Sequence, residues 1–250
     1  MTRAFLVRGM LVGILAGLLT FGFLKVYGEP QVDRAIAFES QRDDAKAAAE
    51  KAKGMEVEDE PELVSRPVQA GLGLFTAVMV YATAFGGLFG LAFAFAYGRV
   101  DGALTPQGVS LLLAATGFIA IYLVPNLKYP ANPPSVGEPD TIGMRTALYF
   151  IMIAISLAAM IGAGSLKRVF APRFGGWNAI LIAAAIYLVL MAVAGFLLPA
   201  VNEVPQEFPA VVLWKFRVAS IGAQLVMWAT LGLLFGALTE RSFASGRLRT

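Results

Sequence analysis

Six stretches of about 20 residues, each almost free of charge, divide this sequence, at roughly 5–24, 70–97, 108–124, 147–164, 179–198 and 219–238. A helical run of that length, at about 1.5 Å per residue, reaches across a hydrocarbon core of about 30 Å. Lipid offers no partner to a backbone N–H or C=O, so helix is the state that satisfies such a run internally. The expected fold is all-α: a polytopic membrane protein of about six transmembrane helices, arranged as three hairpins within a single integral membrane domain over residues 1–250. A soluble globular enzyme is excluded by the same feature. Of all residues 58% are apolar and 15% charged, against about a quarter charged in an ordinary soluble domain. The first block follows Arg3 and Arg8, as a signal peptide would. It is too long for a usual signal core and ends in Lys25-Val-Tyr-Gly-Glu-Pro30 rather than a small-x-small cleavage site, so it is read as a retained helix.

Charge placement predicts an orientation. With the N-terminus in the cytoplasm, the inner segments carry Arg3, Arg8, Arg99, Lys167, Arg168, Arg173, Arg241, Arg247 and Arg249 against only Asp101 and Glu240. The two short outer loops and their helix ends hold Lys128, Arg145, Lys215 and Arg217. Basic residues gather on the cytoplasmic side of membrane proteins, so both termini are expected there. Fifteen of the seventeen Asp and Glu fall in the three outer loops. The outer face is therefore expected to gather cations, within a screening distance of about 10 Å.

The outer loops resemble one another. The first holds Gly28-Glu29-Pro30 and Asp33, the second Gly137-Glu138-Pro139-Asp140, and the third Asn202-Glu203-Val204-Pro205 with Glu207 and Pro209. The third and fifth blocks end alike, in Tyr122-Leu-Val-Pro125 and Phe196-Leu-Leu-Pro199. Each returning helix opens near a base: Arg66, Arg145, and Lys215 with Arg217. Helix-stopping prolines and acids at helix N-termini explain these features locally. A parallel internal repeat, with three carboxylate-bearing corners, is the sharper alternative. The first loop, 28–67, is expected to be an extracytoplasmic segment in two parts. Residues 31–53 are good helix material, with Gly54 as the stop. Met55-Glu-Val-Glu-Asp-Glu-Pro-Glu62 has too little apolar side chain to pack and reads as a solvated tether.

The available chemistry is narrow. The sequence has no Cys and no His, which removes thiolate and imidazole metal sites, Cys nucleophiles and histidine proton switches. No ionisable residue lies near the middle of a block; the interiors offer Thr20, Thr76, Thr83, Thr116, Ser156, Gln224 and a few tyrosines. Proton relays and voltage sensors need intramembrane charge. No phosphate-binding loop is present, so the chain is not its own ATPase. Met152 and Met160 share a helix face and are read as core rather than as a copper site. A metal held by this chain alone needs oxygen ligands, for which Glu29, Asp33, Glu39, Asn132, Glu138, Asp140, Asn202, Glu203 and Glu207 are the candidates. Helix caps, or salt bridges to Arg34, Arg145 or Arg217, are the competing explanation of each acid. Gly9, Gly13 and Gly17 form G-x-x-x-G-x-x-x-G, and Gly86 with Gly90 and Gly232 with Gly236 repeat the spacing. Small residues four apart let helix backbones approach closely, either inside the chain or against a partner helix, and the first helix is the better candidate for a partner.

Arg8-Gly-Met-Leu-Val-Gly-Ile-Leu-Ala-Gly17 leading to Gly28-Glu-Pro-Gln-Val-Asp-Arg-Ala-Ile-Ala-Phe-Glu39 resembles the N-terminus of the CbtA family. Leu127-Lys-Tyr-Pro-Ala-Asn-Pro-Pro-Ser-Val-Gly-Glu-Pro-Asp-Thr141 resembles it too, as does Asn202-Glu-Val-Pro-Gln-Glu-Phe-Pro-Ala210 followed by Leu213-Trp-Lys-Phe-Arg-Val-Ala-Ser220. The resemblance implies a multi-pass protein of the bacterial inner membrane. It implies a proposed cobalt transporter subunit serving cobalamin synthesis and working with a small one-helix partner, CbtB, that carries histidines. It carries over no ligand residue and implies no tightly bound cofactor; Co2+ is the cargo. The expected partners are membrane lipid and that single-helix subunit, and no nucleic acid. A histidine-bearing partner would supply the ligands this chain lacks, and Gly9, Gly13 and Gly17 would be its dock. The expected capture set for the cation is Glu29, Asp33, Glu138, Asp140, Glu203 and Glu207. A non-transporting membrane scaffold is the alternative. An enzyme is not expected.

Overall fold

The computed structural model describes residues 1–54, 64–100 and 104–246. The acidic tether 55–62, and the charges Asp101, Arg247 and Arg249 used in the orientation count, lie outside the described residues. Among the described residues six helices are long and apolar enough to cross a membrane: α1 (Thr2–Ala52), α2 (Arg66–Ala96), α3 (Pro106–Lys128), α4 (Pro139–Phe174), α5 (Gly176–Leu197) and α6 (Ala210–Ala244). No strand occurs among the described residues. The all-α, six-helix membrane architecture is as expected.

Two prolines behave differently from the sequence expectation. Pro30 was expected to separate the first membrane helix from the loop helix, yet α1 runs through it to Ala52. A π turn, Leu24–Gly28, immediately precedes it. A proline inside an α-helix lacks an N–H, and its ring presses on the carbonyl four residues back. The wider i→i+5 turn relieves that conflict just where Pro30 needs it. The same device recurs in α3, where the π turn Phe118–Leu123 leads into Val124–Lys128 and the helix continues past Pro125. The expected loop helix and its stop are present: α1 ends at Ala52, and Gly54 takes φ +76°, a left-handed conformation suited to glycine.

The chain divides into two units, the first comprising Met1–Ala114, Asn132–Val136 and Val204–Thr250, the second Ala115–Ala131 and Gly137–Glu203. In the first, α1 and α2 cross through glycine. A Cβ added at Gly9 would collide with the Gly86 carbonyl, one at Gly13 with the Ala82 carbonyl, and one at Gly90 with the Phe5 carbonyl. The glycine face expected to dock a partner helix is thus taken by the chain's own returning helix. In lipid this contact is driven by close van der Waals packing, because hydrocarbon solvates apolar side chains as well as protein does. α6 completes the core with Phe235, whose ring lies 5.0 Å from Phe93 and 5.4 Å from Phe89. Gly232 and Gly236 admit the start of α3, and the Ser110 hydroxyl donates to the Gly232 carbonyl at 2.8 Å. At one end of this bundle Arg8 donates to Thr239 Oγ1 at 3.0 Å and to Ser242 Oγ at 2.7 Å. At the other, Ala35 and Phe38 of α1 pack with Val136, Phe208 and Val212.

The second unit is built on the α4–α5 hairpin. Leu148, Met152, Ala163, Ala183, Tyr187 and Met191 form its core. Met152 is 2% exposed and packs as an apolar side chain, as expected. The hydroxyls of Ser156 and Tyr187 lie 2.8 Å apart inside this core and satisfy one another. The Tyr129 hydroxyl ties the end of α3 to the Pro199 carbonyl at 2.8 Å.

Candidate functional site

The candidate carboxylates fall into different surroundings. Glu29 and Asp33 stand four residues apart in α1, on one helix face. Both reach Arg66, the first residue of α2: the guanidinium donates to Asp33 Oδ1 at 2.9 Å and to Glu29 Oε2. Glu29 is the more enclosed of the two, with its side chain 12% exposed against 60% for Asp33. Nearby, Lys25 donates to the Ala70 carbonyl at 3.0 Å. The sequence noted Arg66 as a base at a helix start; its role as the shared partner of two carboxylates emerges only from the fold.

In the second unit the loop before α4 and the end of the loop after α5 meet. Glu203 accepts the backbone N–H of Glu138 at 2.8 Å, and Arg145 Nε lies 3.3 Å from its carboxylate. Arg145 also donates to the Glu138 carbonyl at 3.1 Å. The guanidinium lies over Gly137, which has φ +121°, and a Cβ there would strike it. The Thr141 hydroxyl, the Glu138 N–H and the Arg145 charge together hold the Glu203 carboxyl below the usual carboxylate pKa. Glu138 and Asp140 are exposed, and Asp140 lies in the first turn of α4, where the helix dipole favours an acid. Glu207, in the first unit, is exposed. No ion pair holds Glu138, Asp140 or Glu207 among the described residues.

Of the remaining candidates, Asn132 accepts from Arg217 at 2.8 Å. Arg34, offered as an ion-pair partner, donates instead to Gln31 at 2.8 Å. Among the described residues no group of three or more Asp and Glu is placed to hold a metal ion.

The first unit also contains a cavity of about 330 Å³ between α1, α2 and α6, lined by Thr20, Gly28, Tyr81, Ser220, Gln224 and Met227 among others. Tyr81 and Gln224 are joined by a side-chain hydrogen bond. Thr20 and Gln224 stand out in the sequence as polar residues inside apolar blocks. Their juxtaposition across about 200 residues had no sequence signal.

Residues 2–240 match the model of the family described as probable cobalt transporter subunit (CbtA). The chain belongs to the CbtA family. No curated protein and no solved structure matches it. The match runs through all six helices, so this CbtA-family chain is a multi-pass membrane protein across its described length. The CbtA loops quoted from the sequence contribute Glu29, Glu138 and Glu203 to the corners described above.

Proposed function

We propose that this chain is the membrane subunit of a cobalt uptake system of the bacterial inner membrane. It acts with a small histidine-bearing one-helix subunit and serves cobalamin synthesis. The observation that carries the reading is the CbtA match over residues 2–240, on a chain with six helices able to span a bilayer. The termini lie in the cytoplasm, in keeping with the basic residues of the inner segments.

Glu29, Asp33, Glu138, Asp140, Glu203 and Glu207 gather the hydrated cation at the outer ends of the helices. Within this set, Glu138, Asp140 and Glu207 meet the ion without giving up an ion pair. Glu29, Asp33 and Glu203 shape their corners through Arg66 and Arg145. The pairing of Glu29, Asp33 and Glu203 also supports a second reading, a non-transporting scaffold in which those three acids are structural.

Radiocobalt accumulation tests the proposal, in cells lacking their own cobalt uptake and expressing this chain, the one-helix subunit, or both. Uptake with both, and not with either alone, supports the two-part transporter. Uptake with this chain alone places the ligands on its oxygens. No uptake in any combination, with protein present in the membrane, favours the scaffold. Within a transporting system, Asp140→Ala is expected to lower uptake at unchanged membrane abundance.

A further inference from the structure

We propose that Arg8, held in place by Thr239 and Ser242, is a binding site for the phosphate of an anionic phospholipid. The site stands whether or not the chain transports cobalt. Only the leaflet that supplies the lipid rests on the orientation proposed above.

The position of Arg8 along α1 is the first observation. No residue between Arg8 and Lys25 is charged. At about 1.5 Å per residue the two lie about 26 Å apart along the axis, close to the hydrocarbon thickness of about 30 Å, so they mark its two edges. A long cationic side chain at such an edge lays its stem along apolar surface and turns its head to the polar layer. The neighbouring stretch of α6 agrees: the charged Glu240 and Arg241 stand between Thr239 and Ser242, as in a helix leaving the hydrocarbon. The Tyr97 ring stacks on Phe243 with centroids 5.2 Å apart, and Phe5 lies 6.3 Å from the same ring. Tyrosine gathers at this level of a bilayer, with its ring in the apolar layer and its hydroxyl wet.

What Arg8 lacks is a counter-charge. Its guanidinium donates to Thr239 Oγ1 at 3.0 Å and to Ser242 Oγ at 2.7 Å, and both partners are neutral. Thr239 is fully buried. The Ser242 hydroxyl spends its own proton on the Leu238 carbonyl at 2.8 Å, which leaves its oxygen as an acceptor for Arg8. No carboxylate pairs with Arg8 among the described residues. Glu240, the acid beside these hydroxyls in sequence, accepts the backbone N–H of Gln107 at the start of α3 instead, at 3.0 Å. A partly buried cation without an anion is costly, and a bound anion offsets that cost.

A guanidinium has five N–H donors in a rigid fork, and those that Thr239 and Ser242 leave unused suit phosphate oxygens. The two hydroxyls fix the fork beforehand, so the lipid does not have to order it on binding. A net negative headgroup supplies the missing charge, whereas a choline headgroup brings an ammonium of its own. With the termini in the cytoplasm, the lipid comes from the cytoplasmic leaflet, whose surface is the negative one.

The test uses the full chain in neutral detergent, titrated with phosphatidylglycerol or phosphatidylcholine, with retained lipid counted by native mass spectrometry. One phosphatidylglycerol is expected to be retained at a concentration at which phosphatidylcholine is not. Arg8→Gln should raise the half-saturating concentration by about ten- to hundredfold, the worth of a hydrogen bond to a charged group. Ser242→Ala removes only the prop and should raise it by about three- to tenfold; it decides the matter if Arg8→Gln does not fold. Arg241→Gln removes an equal charge from an exposed side chain in the last turn of α6 and should leave retention unchanged. An equal loss in Arg241→Gln and Arg8→Gln would mean diffuse attraction and overturn the site, as would unchanged retention in Ser242→Ala. Displacement of the lipid by an excess of inorganic phosphate would assign the site to a soluble anion and overturn the lipid.

Discussion

The carboxylate of Glu203 accepts the backbone N–H of Glu138 at 2.8 Å, closing two loops 65 residues apart onto one another. Thr141, that N–H and Arg145 all favour the ionised form, so the folded chain holds Glu203 charged where an unfolded chain has begun to take up a proton. A carboxylate with a depressed pKa contributes its stability above the unfolded value and loses it as pH falls through the folded value. Glu203→Gln is therefore expected to melt below the parent at pH 7. The gap should narrow as pH drops below about 4. Melting of both proteins in detergent across that range checks it; a gap independent of pH would show that the charge contributes nothing.

Gly13→Leu tests the seam between α1 and α2. Its side chain would drive into the Ala82 carbonyl, which cannot swing away as a side-chain tip can. Overpacking of this kind costs about 1–3 kcal/mol. The expected result is a lower melting temperature of the chain by itself, with loss of any partner following from it. Gly22→Leu, where a Cβ meets nothing within 4 Å, is the matched control and should melt like the parent.

Ser156 and Tyr187 offer a clean double-mutant cycle, because each hydroxyl is the other's partner in the core of the second unit. Ser156→Ala and Tyr187→Phe are each expected to destabilise the hairpin. Their coupling should be about 0.6 kcal/mol and no more than about 1.7, the range for hydrogen bonds between membrane helices. Strict additivity would mean that the two hydroxyls do not bond in the bilayer.

Removing Arg66 should cost more than removing either of its partners. Arg66→Met leaves Glu29 enclosed without a counter-charge, and hydrogen bonds to charged groups are worth about 1.5–3 kcal/mol. Asp33 is 60% exposed, and its pair with Arg66 is worth at most about 1 kcal/mol. The expected order of destabilisation is Arg66→Met, then Glu29→Gln, then Asp33→Asn, read from melting in detergent. An Asp33→Asn loss equal to that of Arg66→Met would contradict the difference in burial.

The six spans were legible because hydropathy over about 20 residues is a strong signal. The helix ending at Gly54 was legible from its alanine-rich sequence and its glycine stop. Pro30 and Pro125 misled, because whether a proline ends a helix depends on slack in the preceding turn, and a π turn leaves no compositional mark. The glycine spacing announced close packing but not the partner: Gly9 and Gly13 needed the fold to find Gly86 and Ala82. The ion pairs were half legible. Arg145 was rightly placed among possible partners of an acid, whereas Arg66 was seen only as a base at a helix start. Thr20 was visible as a polar residue in an apolar block, but its place in a cavity with Gln224 is a property of three helices together.

The length of α1 carries one more consequence. Fifty-one residues of unbroken helix, at about 1.5 Å each, trace an axis of about 77 Å, more than twice the thickness of a hydrocarbon core. Its glycine-bearing half is locked against α2, and from Ser40 onward few of its side chains are covered. The hydrocarbon cannot hold a helix of that length along its normal, so the membrane boundary falls within it, and the exposed turns after Ser40 stand apart from the seam where Gly9 and Gly13 meet backbone.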